Sequence, residues 1–177
     1  LGLTGYTLNA TEIFSLGLAT HYQKNDKIPS IEKDYINKGK FPNNNIIPSQ
    51  DSEILTNINF ICDIFQGDLL SIINNLKKSP LLFAQKIYSH ILKRCPMSLA
   101  VTNELISKAE NLSLKECLKM EYQLSQHIVY RNDFNEGVDN VLISKIHNPK
   151  WNPAKINDIN FNEIKKLLNP HVKPLII

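Results

Sequence analysis

The side chains able to do chemistry are scattered along this chain. His21, His90, His127, His147 and His171 stand in no HxxxH or HExxH spacing, so no two-histidine metal clamp is expected. Cys62, Cys95 and Cys117 are odd in number, far apart and without a CxxC. They read as small buried hydrophobes in a reducing compartment, not as a disulfide framework or a zinc site. Ser98 lacks a GxSxG context, and the six glycines do not cluster into a phosphate-cradling loop. Residue chemistry therefore assigns no catalytic residue, no metal ligand and no cofactor, and leaves substrate-binding residues unassigned.

Two charges fall on apolar stripes. Leu114, Cys117, Glu121, Leu124 and Ile128 share a helical face, with Glu121 in its middle. Phe134, Val138, Val141, Leu142 and Lys145 share another, which Lys145 closes. A half-buried carboxylate left unpaired costs several kcal/mol. Either Glu121 finds Arg131, Lys145 or backbone donors, or it sits wet at the stripe's edge. Lys145 could meet an acidic ligand such as a phosphate, and the plainer reading is structural.

The elements that must position these groups are nearly all helical. Asn9-Ala-Thr-Glu12, Ser113-Leu-Lys-Glu116, Asp133-Phe-Asn-Glu136 and Asn160-Phe-Asn-Glu163 each have the form of a capping box. The first opens a helix that stops near Gly17, and 19–23 reads as a short extended piece. Asn25 to Gln50 is polar, with Pro42, Asn43-Asn44-Asn45 and Pro48, and is expected as a loop or insertion. Further helices are expected over Ser52–Phe65 and Leu69–Leu76, and from Pro80 and from Pro96. The Asp133 helix is expected to run until Pro149. In that reading Phe134, Val138 and Val141 are buried, and Trp151 is clamped between Pro149 and Pro153 as a packing anchor.

Bulk numbers add bounds. The chain has 177 residues, enough for one domain with a core. A net charge of +3, with lysines spread along the chain and not clustered in a patch, is too weak to argue for nucleic acid and reads as a solvated surface. No apolar run approaches the roughly 20 residues of a membrane span. The start, LGLTGY, has neither a signal-peptide shape nor a methionine, so the chain reads as a piece of something longer or as a processed product.

Several segments together carry a resemblance. Leu3-Thr4-Gly5, Asn9-Ala10 and Gly17-Leu18-Ala19-Thr20-His21 resemble the segment after the active-site region in the enoyl-CoA hydratase/isomerase (crotonase) superfamily. Cys95-Pro96-Met97-Ser98-Leu99 resembles a P-x-S-L helix start, and Glu121-Tyr122-Gln123-Leu124-Ser125-Gln126 an E-Y-R-L-S-Q run. Asp133-Phe134-Asn135-Glu136-Gly137-Val138, Val141-Leu142-Ile143, Lys145 and Pro149-Lys150-Trp151-Asn152-Pro153 are similar to D-F-x-E-G-V-R-A-V-L-I-D-K-D-x-x-P-K-W-x-P, the pattern of the 3-hydroxyisobutyryl-CoA hydrolase family. Asp139 stands where that family usually has Arg, and Ser144 where it has Asp. The departures put any charge network built on those positions in doubt.

The resemblance implies a mainly α chain, the C-terminal helical part of a crotonase-like (ClpP/crotonase) α/β fold, with at most a short strand near 19–23. It divides the chain into 1–28, the tail of the crotonase core; 29–50, the polar insertion; and 51–177, the C-terminal helical region. It implies hydrolysis of an acyl-CoA thioester in valine degradation in the mitochondrial matrix. Backbone amides would stabilise an oxyanion, and carboxylates would handle the acyl group and water. In the family those groups precede the L-T-G segment, so no catalytic residue carries over. Acyl-CoA is a substrate in the parent family, not a cofactor of this chain. The expected partner is an N-terminal catalytic half in the same or a separate chain; a homo-oligomer is left open, and no membrane is expected. The other reading is a non-catalytic, hydrolase-like protein of the mitochondrial small ribosomal subunit, contacting ribosomal proteins and rRNA. A generic acyl-CoA hydratase or isomerase is disfavoured by the K-W-x-P segment. Cut at Leu1, the chain is expected to be marginally stable and prone to associate on its own.

Overall fold

A computed structural model describes residues 1–41, 51–173 and 175–176. No strand occurs among the described residues, the extended piece at 19–23 included. No helix among them is long and apolar enough to cross a membrane. The chain forms two compact units, Tyr6–Phe65 and Leu1–Gly5 with Gln66–Ile177.

In the first unit the Asn9 box forms as expected. The Asn9 side chain accepts from the Glu12 N–H at 2.9 Å, and Glu12 accepts from the Asn9 N–H at 2.8 Å, opening α1 (Ala10–Ser15). Gly17 follows at φ +70°, a left-handed conformation suited to glycine at a helix end. The segment expected as a loop contains a helix, α2 (Ile28–Lys38). Its signals are Pro29 in the first turn, Ile28, Ile31 and Tyr35 at helical spacing, an Asp34–Lys38 pair at i,i+4 and Gly39 as the left-handed cap. The polar composition of the stretch masked them. Its remainder, 42–50, lies outside the described residues. The helix expected over Ser52–Phe65 is two, α3 (Glu53–Thr56) and α4 (Ile58–Ile64). The break is at Asn57, whose amide donates to the Glu53 carbonyl at 2.7 Å, a local bond that competes with the helix ladder.

The second unit holds most of the apolar core. In α5 (Leu69–Lys78), Leu69, Ile72, Ile73 and Leu76 are all buried at i, i+3, i+4, i+7. Each such side chain contributes about 1.5–3 kcal/mol of burial. Asp68 caps the helix by accepting from the Ser71 N–H at 2.9 Å. α6 (Leu82–Ile91) packs on α5 through buried Ala84 and Ile91. α7 (Pro96–Ala109) buries Met97, Leu99, Ala100 and Val101 and receives α10 (Phe161–Leu167), which buries Ile164 and Leu167. α8 (Leu114–Ile128) starts at the Ser113–Glu116 box, as expected.

The Asp133 segment departs from expectation. α9 spans Asn132–Val138 with Arg131 as its N-cap residue, and Asp133 caps nothing. A π-turn, Asp139–Ile143, ends the helical run well before Pro149. The Ser144 N–H closes this wide turn on the Asp139 carbonyl at 2.7 Å, and the Ser144 hydroxyl donates to the same carbonyl at 3.1 Å. Lys145 (φ 55°) and His147 (φ 57°) then take left-handed conformations, each costing about 1–2 kcal/mol. Asn160 opens α10 by accepting from the Asn162 N–H at 3.1 Å, but Glu163 pairs with Arg131 instead of closing a box.

Candidate functional site

Three side chains on one face of α9 and its π-turn hold the following extended segment by its backbone. The Asn148 N–H donates to Asn140 Oδ1 at 3.2 Å, the Lys150 N–H to Glu136 Oε1 at 2.7 Å, and the Asn152 N–H to Asp133 Oδ1 at 2.7 Å. The periodicities match. Residues 133, 136 and 140 are spaced three and four apart, one helix face; 148, 150 and 152 are spaced by two, one edge of an extended chain. The segment runs antiparallel to the helix. Pro149 falls between the bonded positions, where no N–H is required. The Asn140 amide also donates to the Glu136 carbonyl and to Glu136 Oε1, both at 3.0 Å, which fixes the middle acceptor. Asp133 and Asn140 are buried for this purpose.

The pinned segment sets Trp151 over Gly137. A Cβ at Gly137 would lie 3.5 Å from the indole, ordinary van der Waals contact. Beside them opens a mostly apolar cavity of about 400 Å³. Its walls draw on Cys95, Met97 and Ser98 at the start of α7 and on Phe134, Val138 and Leu142 of the α9 segment. Two of the sequence segments singled out above, 95–99 and 133–153, thus converge on one concavity. Phe134 (44% exposed), Val141 (50%) and Leu142 (67%) remain open to solvent, so the expectation that Phe134 and Val141 are buried is corrected. They line the cavity and do not fill a core.

Charge enters at one wall. Arg131 pairs with Glu163 and lies 3.8 Å from Asp133 Oδ2. Arg131 Nε and Asp133 Oδ2 are both buried without a hydrogen-bond partner, and Oδ2 is left with only the long ion pair to Arg131 Nη2. The buried carboxylate of this region is therefore Asp133, not Glu121. Glu121 is exposed and no donor reaches it among the described residues. The reason is angular. The covered face of α8 is centred on Met120, Leu124 and His127, and Glu121 lies at its rim. Lys145 is likewise exposed, in the strained turn. Asp139 and Ser144 are exposed and meet through the Asp139 carbonyl, so their identity leaves the Asp133–Glu136–Asn140 ladder intact.

A second buried carboxylate, in the other unit, was legible only as a cap. Glu12 is 1% exposed and accepts from the Ser52 hydroxyl at 2.5 Å, the Asn9 N–H at 2.8 Å and the Tyr6 hydroxyl at 3.2 Å. The Ser52 hydrogen bond, followed by that from Asn9, holds its carboxyl below the usual carboxylate range. All its contacts serve packing and capping, and its acceptor sites are occupied. No group of three or more metal-ligating side chains occurs among the described residues.

Comparison with known proteins follows the same outline. Residues 1–168 match the model of the family described as Enoyl-CoA hydratase/isomerase. The chain is 32% identical to the 3-hydroxyisobutyryl-CoA hydrolase, mitochondrial, of Homo sapiens, an alignment covering 99% of this chain and 48% of that protein. It is 32% identical to the protein of the same name from Danio rerio, covering 94% and 47%. The chain spans about half the length of the curated relatives it matches. Among solved structures, an enoyl-CoA hydratase from Rhodobacter sphaeroides superposes with a TM-score of 0.84 at 22% identity, over 96% of this chain and 50% of that one. A carnitinyl-CoA dehydratase from Mycobacterium thermoresistibile gives 0.82 at 25% identity, over 98% and 51%.

Proposed function

Because this chain belongs to the enoyl-CoA hydratase/isomerase family, we propose that it is the helical part of an acyl-CoA thioester hydrolase acting on 3-hydroxyisobutyryl-CoA or a close relative. In this reading it supplies a wall and cover for the acyl group, and the catalytic groups come from a partner half, in the same or a separate chain. The observation that carries it is the convergence of 95–99 and 133–153 on one apolar cavity, with Trp151 held at its edge by the Asp133–Glu136–Asn140 ladder. Exposed Phe134, Val141, Leu142, Ile143 and Ile146 are the apolar surface that a partner half would cover. The relatives' names place them in the mitochondrion, and the proposed location of this chain is the same, in the matrix. Valine degradation is the proposed pathway.

The test is reconstitution. The chain is co-expressed with the first half of a relative, and release of free CoA from 3-hydroxyisobutyryl-CoA is followed with a thiol reagent. Turnover by the pair and not by either piece supports the proposal. A Leu142→Glu variant, altering an exposed side chain, is expected to fold but to lose the partner and the turnover together. Absence of any complex, with the native chain migrating with the small ribosomal subunit, would overturn it in favour of a scaffold role.

A further inference from the structure

The last described turn of the chain is held to α8 by one buried side chain and one pair of rings. Gln123 is 6% exposed, in the middle of α8. Its Oε1 accepts from the N–H groups of His171 at 2.9 Å and Val172 at 3.0 Å, and its amide donates to the Val172 carbonyl at 3.0 Å. One turn further along α8, the His127 ring stacks on the His171 ring with centroids 3.4 Å apart and planes 24° from parallel. Two imidazoles at this separation pack well when neutral. When both carry a proton, two like charges are forced within a few ångströms, and the half-buried His127 ring lacks full hydration.

We propose that the His127–His171 stack makes the docking of the 169–173 tail on α8 sensitive to protons, closed near neutral pH and released on acidification. Gln123 provides the grip and the ring pair provides the release. The charged groups on the elements packed here are Lys115, Glu116, Lys119 and Glu121 on α8, Glu163, Lys165 and Lys166 on α10, and Lys173 in the tail, with Glu116 committed to the Ser113 cap. Glu163 is committed to Arg131, and Glu121 is exposed without a partner among the described residues. Among the described residues no carboxylate bonds to either ring, and the His171 Nδ1 contact is with the Asn169 carbonyl at 3.4 Å. No carboxylate is therefore in place to stabilise the doubly protonated pair. Burial first, and the His171 charge second, hold the His127 imidazole below its usual value. The sign follows from linkage. The released state takes up protons more readily, so docking is fully present above about pH 6.5 and weakens as pH falls below it.

Amide hydrogen exchange on the protein, read residue by residue by NMR, tests this. Protection of the His171 and Val172 amides, referenced to Ile72 and Leu76 in α5, should fall about tenfold between about pH 7.5 and pH 5. In His127→Gln that fall should vanish, and in His171→Gln it should shrink because burial of His127 remains, while protection near neutral pH is largely kept in both. In Gln123→Ala protection should be lost at both pH values. Tail protection that does not change with pH overturns the proposal, as does an equal fall in His171→Gln. So does a fall shared with Ile72 and Leu76, which would be general unfolding.

Discussion

Asp133 Oδ1 accepts the backbone N–H of Asn152 at 2.7 Å across 19 residues of chain. This bond, with its two neighbours from Glu136 and Asn140, turns a segment without regular structure into a fixed wall. It carries Trp151, the sole tryptophan of the sequence, to the edge of the cavity.

Asp133→Ala should therefore cost about 2–4 kcal/mol, because it strands the Asn152 backbone N–H and removes the carboxylate that faces Arg131 Nη2 at 3.8 Å. The Trp151 emission should shift to the red as the segment loosens. A thermal melt and a fluorescence spectrum on the same variant check both. An unshifted spectrum with unchanged stability would remove the ladder's claimed role.

Gly137→Ala should be tolerated despite the tryptophan above it. The added methyl meets the indole at 3.5 Å, a normal contact, and glycine inside a helix costs about 0.5–1 kcal/mol relative to alanine. The expected outcome is a small rise in melting temperature with unchanged Trp151 emission. Gly137→Leu should instead displace the ring and shift the emission.

The unit containing Glu12 should weaken in acid. Its carboxyl is held below the usual range in the folded state by Ser52 and Asn9, so the stabilisation is present above the unfolded value and is lost as pH falls through the folded one. Ser52→Ala should cost about 1–3 kcal/mol and move that acid loss to higher pH. Denaturant melts from neutral to acidic pH on both proteins give the comparison. Superimposable pH profiles would refute the coupling.

Glu121→Ala should change stability by less than about 0.5 kcal/mol, since the side chain is exposed and no donor holds it among the described residues. A loss of several kcal/mol in a urea melt would mean that the charge is buried after all.

Much of this protein was legible without coordinates wherever one local signal sufficed. The Asn9 and Ser113 caps, the α5 stripe Leu69, Ile72, Ile73 and Leu76, and the helix starting at Pro96 follow from side chains acting within one turn of their own position. The family resemblance was equally local, since segments 95–99 and 133–153 match as strings. What only the tertiary structure decided depends on where distant backbone lies. Asp133 and Glu136 have the spacing of a capping box, yet their carboxylates are taken by N–H groups 19 and 14 residues away, because a bond made in a buried place outweighs one that water can replace. Glu121 reads as mid-stripe, but a stripe's true centre is set by the partner that covers it. Phe134, Val141 and Leu142 have the pattern of a core face, and only packing shows that they border a cavity left open in this chain. The His127–His171 stack joins residues 44 positions apart, a contact that only the folded arrangement of α8 and the tail defines.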